Sequence, residues 1–183
     1  GVQISREALN TDGTLNYTKL ITYLTENATR NQLIADFIEQ RPSLILSDRL
    51  NHLETLISLL PADMQKDAVM ISGKMTTKKG KAEREQALED MRSGKKKYLF
   101  ATYSLCKEGL DIPRLGRLYM ASPVKDYTVV VQSIGRIART FEGKAEPICY
   151  DFVDDIAYLV KAYKKRCSHY KKARCYFINA DSQ

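Results

Sequence analysis

No stretch of the chain approaches the roughly 20 consecutive apolar residues that a bilayer-spanning helix needs. The first residues also lack the basic-then-apolar order of a secretory leader, so a cytoplasmic protein with no membrane partner is expected. Four cysteines stand at positions 106, 149, 167 and 175, and no pair has the two- or four-residue spacing of a zinc knuckle. Cys167, His169 and Cys175 lie close in sequence, but a helix followed by a short apolar segment accounts for them, and no metal site is expected. Cys149 sits inside an apolar run, which suits a buried reduced thiol. Internal repeats, linkers and low-complexity stretches are absent too, which leaves one ordinary globular domain.

What is present agrees with that. The 183 residues are 44% hydrophobic and 28% charged, enough to bury a real core. The net charge of +7 favours a polyanionic partner through counterion release, although a solvated basic surface gives the same balance.

Short apolar runs alternate with helical patterns, the mark of an α/β fold with a mainly parallel sheet. Strands are predicted at Leu44–Leu46, Ala68–Ile71, Tyr98–Ala101, Leu118–Ala121 and Pro147–Phe152, with a possible further strand at Cys175–Ile178. Helices are predicted over Tyr17–Gln40 (apolar stripe Leu20, Leu24, Leu33 and Phe37), Arg49–Leu60, Lys81–Ser93, Thr128–Arg139 and Asp155 to about Lys172.

Parallel strands put their carboxyl ends on one edge of a sheet, where such folds bind ligands. Behind the first strand stand Ser47, Asp48 and Arg49; behind the second, Ser72, Gly73 and Lys74; behind the third, Thr102, Tyr103 and Ser104. Small hydroxyl residues with nearby cations suit phosphate oxygens, and they equally suit helix capping. In the Thr128–Arg139 helix, at about 100° per residue, Gln132, Arg136 and Arg139 fall within an arc of roughly 60°, nearly opposite Val130, Ile134 and Ile137. Gly135 lies beside that polar stripe, where it would let another surface approach closely. Two arginines projecting from a rigid helix suit a transferring phosphoryl group; a solvated polar face is the plainer alternative.

Four patterns resemble those of one family. Ala101-Thr102-Tyr103-Ser104-Leu105-Cys106-Lys107-Glu108-Gly109-Leu110-Asp111-Ile112-Pro113 resembles motif V of superfamily 2 helicases, and Gln132-Ser133-Ile134-Gly135-Arg136-Ile137-Ala138-Arg139 looks like motif VI, Q-x-x-G-R-x-x-R. Ser43 to Arg49 with His52 resembles motif IV, and Ile71-Ser72-Gly73 through Arg84 resembles motif IVa. The Glu-Gly-Leu-Asp form is similar to the restriction- and repair-type DNA helicase branch.

The resemblance implies a RecA-like three-layer fold, a mainly parallel central sheet flanked by helices. It implies that Arg136 and Arg139 act as arginine fingers on the γ-phosphate of ATP bound with Mg2+, and that Gln132 positions that phosphate or the attacking water. Gly109, Asp111, Glu108 and Gly135 would line the nucleotide side, with Asp111 near the ribose or linking to motif VI, Gly109 and Asp111 otherwise serving as a helix C-cap and turn. Arg49, Ser72, Gly73, Lys74, Thr102 and Ser104 would touch single-stranded or duplex nucleic acid, DNA being favoured.

A Walker A loop, G-x-x-x-x-G-K-[ST], is missing: Gly73 to Lys81 has six residues between its glycines and is followed by Ala82. Asp154-Asp155 suits helix capping better than magnesium binding. The expectation is therefore the second lobe of an ATP-dependent helicase or translocase whose first lobe lies outside this sequence, with no ATPase activity alone. Residues 1–40 would approach from that first lobe, 41–154 would form the motif-bearing core, and 155–183 would add a basic helix and tail. Its cations Lys161, Lys164, Lys165, Arg166, Lys171 and Lys172 suit either contact with nucleic acid or plain solvation, and solvation is the reading preferred. A non-catalytic nucleic-acid-binding module that kept the fold, or a protein-interaction scaffold, are the alternatives.

Overall fold

The computed structural model describes residues 6–178. Seven helices, α1 (Tyr17–Glu26), α2 (Ala28–Phe37), α3 (Leu50–Leu59), α4 (Ala62–Gln65), α5 (Lys78–Arg92), α6 (Tyr127–Ile137) and α7 (Ala157–Lys172), accompany five strands. The strands are β1 (Ser43–Ser47), β2 (Ala68–Ile71), β3 (Tyr98–Thr102), β4 (Arg117–Met120) and β5 (Ile148–Asp151). All pair in parallel, in the order β2-β3-β1-β4-β5.

Alternation along the strands creates two cores. Leu44 and Leu46 of β1, Leu99 and Ala101 of β3, and Leu118 and Met120 of β4 face one way, onto Leu88 and Met91 of α5, Val130, Ile134 and Ile137 of α6 and Tyr170 of α7. Ile45, Tyr98, Phe100 and Tyr119 face the other way, onto Ile34 and Ala35 of α2, Leu53 and Leu56 of α3 and Met64 of α4. The result is the three-layer RecA-like architecture that the motif order implies. The central strands β1, β3 and β4 have both faces covered, which is why they read as unbroken apolar runs. A third cluster joins Leu20 and Leu24 of α1 to Ile156 and Leu159 at the start of α7.

Four local expectations are corrected. The predicted single helix over Tyr17–Gln40 is two helices hinged at Asn27. Asn27 takes an extended backbone (φ −71°, ψ 111°); its N–H closes α1 on the Leu24 carbonyl, and its side-chain oxygen accepts from Arg30 N at 2.8 Å to open α2. The bend turns a different face inward, so Ile34, Ala35 and Ile38 are buried while Leu33 is 52% exposed. Cys175–Ile178 forms no strand, and Tyr176 and Ile178 lie in solvent. Asp154 caps no helix: α7 opens at Ile156, and Asp154 instead takes the Arg30 guanidinium on both oxygens, at 2.7 and 3.1 Å.

Arg166 also leaves its predicted place. It is buried, bonding Asp151 through Nε at 2.8 Å and Nη2 at 3.0 Å, while the lysines around it on α7 stay exposed. Among the described residues no helix is long and apolar enough to cross a membrane.

Candidate functional site

The parallel register brings the ends of all five strands to one edge: Ser47 lies beside Thr102, and Ile71 beside Ala101. The turn leaving β3 is a 3-10 helix over Tyr103–Glu108, anchored by buried Tyr103, Leu105 and Cys106. Tyr103 donates its hydroxyl to the Ser122 carbonyl at 2.6 Å, tying this turn to the one leaving β4. Gly109 ends the 3-10 helix at φ +74°, a left-handed conformation that costs a Cβ-bearing residue about 1–2 kcal/mol. The turn-forming role of Gly109 is thus real, and no atom of the chain lies within 4 Å of where its Cβ would point.

Helix α6 stands beside this turn. Asp126 caps it, accepting from Thr128 N at 3.0 Å and Val129 N at 3.4 Å, and it also pairs with Lys107 of the motif V turn at 3.0 Å. The Lys107 ammonium and the capped N–H groups hold the Asp126 carboxyl below its usual range. Val130, Ile134 and Ile137 bury one face of the helix. Gln132 and Arg136 are half-buried on the other, and Arg136 Nη2 donates to the Cys106 carbonyl at 2.8 Å. Two atoms on that face, Gln132 Oε1 and Arg136 Nε, are buried with no hydrogen-bond partner among the described residues.

Arg139 departs from the expectation of one helical face. The helix ends at Ile137 with Ala138 as its C-cap, so Arg139 lies just beyond it. Its guanidinium nevertheless returns to the motif V turn, reaching Asp111 Oδ1 at 3.2 Å, with both side chains about half-exposed. Gly135 faces open space: a Cβ there would meet nothing within 4 Å. The structure therefore gathers Gln132, Arg136, Arg139 and Asp111 around a single turn.

The predicted strand contacts form a second group. Ser72, Gly73, Thr102 and Ser104 line one shallow hollow with Arg84, Leu105 and Glu108. Thr102 and Ser104 hydroxyls are hydrogen-bonded at 2.9 Å. Glu108, expected on the nucleotide side, lies here instead, in an ion pair with Arg84. Lys74 follows Gly73 as an exposed cation. Arg49 is outside the hollow, its Nη2 on the Thr18 carbonyl at 3.3 Å.

Beneath Arg49 runs a buried polar chain through Ser47, His52 and Asn31. Ser47 Oγ accepts from Arg49 N at 3.2 Å and donates to His52 Nδ1 at 2.8 Å. His52 Nε2 donates to Asn31 Oδ1 at 2.8 Å, and Asn31 Nδ2 to the Thr25 carbonyl at 2.8 Å. The acceptor-only Asn31 oxygen sets the His52 tautomer. Burial and the nearby Arg30 charge push His52 down to a pKa of about 4. His52 was visible in sequence as part of motif IV; its partner Asn31, 21 residues away, carried no signal.

A parallel RecA-like sheet with a polar helix face and a helicase-type turn at its carboxyl edge defines the second lobe of a superfamily 2 helicase. The chain belongs to the helicase conserved C-terminal domain family, which matches residues 18–141. It is 30% identical over 165 residues, 87% of the chain, to a protein of Acanthamoeba polyphaga mimivirus that bears the provisional name ATP-dependent RNA helicase L396, and spans 30% of that protein. It spans 37% of a helicase, 161L, named provisionally in Invertebrate iridescent virus 6, at 27% identity over 88% of the chain. The fold is similar to T4 UvsW (TM-score 0.63, 19% identity, 85% of this chain and 35% of that one) and to the C-terminal domain of the DEAD-box protein Dbp5 (TM-score 0.61, 20% identity, 82% and 81%). It is also similar to S. cerevisiae Dbp5 bound to RNA and ADP BeF3 (TM-score 0.53, 19% identity, 85% and 36%). These relatives give no preference for DNA.

Proposed function

We propose that this lobe completes the hydrolytic site of an ATP-dependent helicase or translocase, with Arg136 and Arg139 as its arginine fingers. The observation that carries the reading is the pair of buried, partnerless atoms on α6, Gln132 Oε1 and Arg136 Nε. Leaving such a group unpaired costs about 1–3 kcal/mol, so a rotation of either side chain that meets a partner from outside the lobe is favoured.

The chemistry fits a phosphate with its attacking water. Arg136 is anchored through Nη2 on Cys106, which leaves its Nε free to donate to a phosphate oxygen. Gln132 Oε1 is an acceptor and needs a donor, which the water supplies. Arg139 is parked on Asp111 until the cleft between lobes closes and phosphate replaces the carboxylate. Bound ATP with Mg2+ supplies the phosphoryl group. Glu108 is held by Arg84, magnesium is left to a first lobe, and this chain alone is expected to hydrolyse no ATP.

The hollow of Ser72, Gly73, Thr102 and Ser104, with Lys74 next in sequence to Gly73, grips the sugar-phosphate backbone of one strand, and Arg49 contacts that strand from outside the hollow. DNA is the strand that the Glu108–Asp111 form of the turn favours; equal or tighter binding of an RNA of the same length would remove that preference.

In the two-lobed protein, Arg136→Ala is expected to lower hydrolysis by roughly 10³-fold or more while strand affinity stays nearly unchanged. Normal turnover would overturn the finger assignment and leave a non-catalytic binding module as the better description.

A further inference from the structure

Beyond motif VI the chain makes a tight turn that aims one lysine back beneath the helix just completed. Lys144 N donates to the Phe141 carbonyl at 3.1 Å, and Gly143 takes φ +72° within the turn. The Arg114 guanidinium lies over the Phe141 ring, 4.8 Å from its centre, and pins the start of the turn. The Lys144 stem then passes across Gly116, where a Cβ would stand 3.4 Å from Lys144 Cε.

The ammonium at the end of that stem has all three donors engaged. It bonds the carbonyls of Ile137 at 2.8 Å, Arg139 at 2.5 Å and Pro113 at 3.0 Å. Ile137 is the last residue of α6, whose final carbonyls have no partner within the helix and carry the negative end of its dipole. Pro113 closes the motif V pattern, two residues after Asp111. One cation therefore bridges the ends of the two segments that carry Arg139 and Asp111. Partial burial lowers the Lys144 pKa, consistent with an ammonium that has exchanged water for carbonyls.

We infer that Lys144 is a positioning residue for the nucleotide site, clamping the backbone at Arg139 to the end of the motif V turn so that the Arg139 guanidinium is presented at a set place. The inference rests on the finger assignment proposed above. Past the C-cap nothing in helix geometry holds Arg139, and among the described residues its side chain pairs with one exposed carboxylate, Asp111. A half-exposed ion pair is a weak restraint. The three-carbonyl clamp supplies the missing rigidity, and misplacement by about 1 Å is enough to cost on the order of 10²-fold in rate.

The test compares Lys144→Met, Lys144→Arg and Arg139→Lys in the two-lobed protein, with ATPase rates at saturating nucleic acid. Lys144→Met is expected to lower kcat about 10- to 100-fold with little change in the KM for ATP. Lys144→Arg should recover most of the rate, because a guanidinium keeps the charge and several donors for the same carbonyls. In the Arg139→Lys background, Lys144→Met should cause little further loss, because both changes disable one group. In the isolated chain, Lys144→Met should also shift the Arg139 side-chain NH resonance, whereas Lys95→Met should not.

A kcat unchanged in Lys144→Met, with only the melting temperature lowered, would reduce Lys144 to a structural role and overturn the inference. So would full multiplicative loss in the double variant, or an unmoved Arg139 resonance. Normal turnover of Arg139→Lys and Arg139→Ala would instead overturn the finger assignment itself, whatever Lys144 does.

Discussion

At the scale of single residues, His52 has the clearest energetic signature. It is 1% exposed and neutral, hydrogen-bonded through both ring nitrogens. Folding lowers its pKa from 6.5 to about 4, so between those values the unfolded chain holds the extra proton. Stability is then fully present above about pH 6.5 and is lost as pH falls towards 4, by roughly 3 kcal/mol across the window. Urea unfolding should record that loss in the wild type, and it should be largely missing in His52→Gln, once the shared carboxylate contribution is subtracted. Parallel pH profiles for the two proteins would mean that burial does not suppress the charge. The same residue connects stability to the site, since its acceptor nitrogen orients the Ser47 hydroxyl beneath Arg49.

At the scale of elements, capping decides where helices begin and how they turn. Thr77 caps α5 by accepting from Gly80 N at 3.0 Å, so the helix begins at Lys78, three residues before the Lys81 that the local pattern predicts. Asn27 does two jobs, ending α1 and starting α2. Asn27→Ala removes the acceptor for Arg30 N and favours one continuous helix, which would carry Ile34 off the core face. A loss of about 1 kcal/mol in unfolding free energy is expected, read by thermal or denaturant melts. An unchanged midpoint would show that tertiary packing alone holds the bend. Arg30 strengthens the expectation, because it holds both Asp154 and the Ala121 carbonyl, the latter at 2.7 Å, from the first turn of α2.

At the scale of the whole molecule, the sheet sorts chemistry by edge. The carboxyl edge carries the motif V turn, the polar face of α6 and the hydroxyl-lined hollow, while the Lys144 clamp secures α6 from below. The net charge of +7 adds a general attraction for phosphates. For about four phosphate contacts on a single strand, affinity should fall about 50-fold between 50 and 200 mM salt, measured by fluorescence anisotropy with a labelled oligonucleotide. Binding indifferent to salt would rule out a backbone grip.

The sequence by itself determined the architecture and the order of its motifs, because both are written in local periodicity. Leu44–Leu46, Tyr98–Ala101 and Leu118–Ala121 are apolar runs that only strands buried on both faces tolerate, and Q-x-x-G-R-x-x-R is a contiguous pattern. It also located Gln132 and Arg136 on one helical face, since the helix repeat dictates which positions share a side. The link from Asp111 to motif VI was one of two roles the resemblance implied, and tertiary structure decided for it through Arg139. Tertiary structure alone decided the other meetings: Glu108 with Arg84, Arg166 with Asp151, and Lys144 with three carbonyls on two segments. Such partners sit on different elements, and the packing of those elements on the sheet, with the bend at Asn27, sets the distances that no local pattern contains.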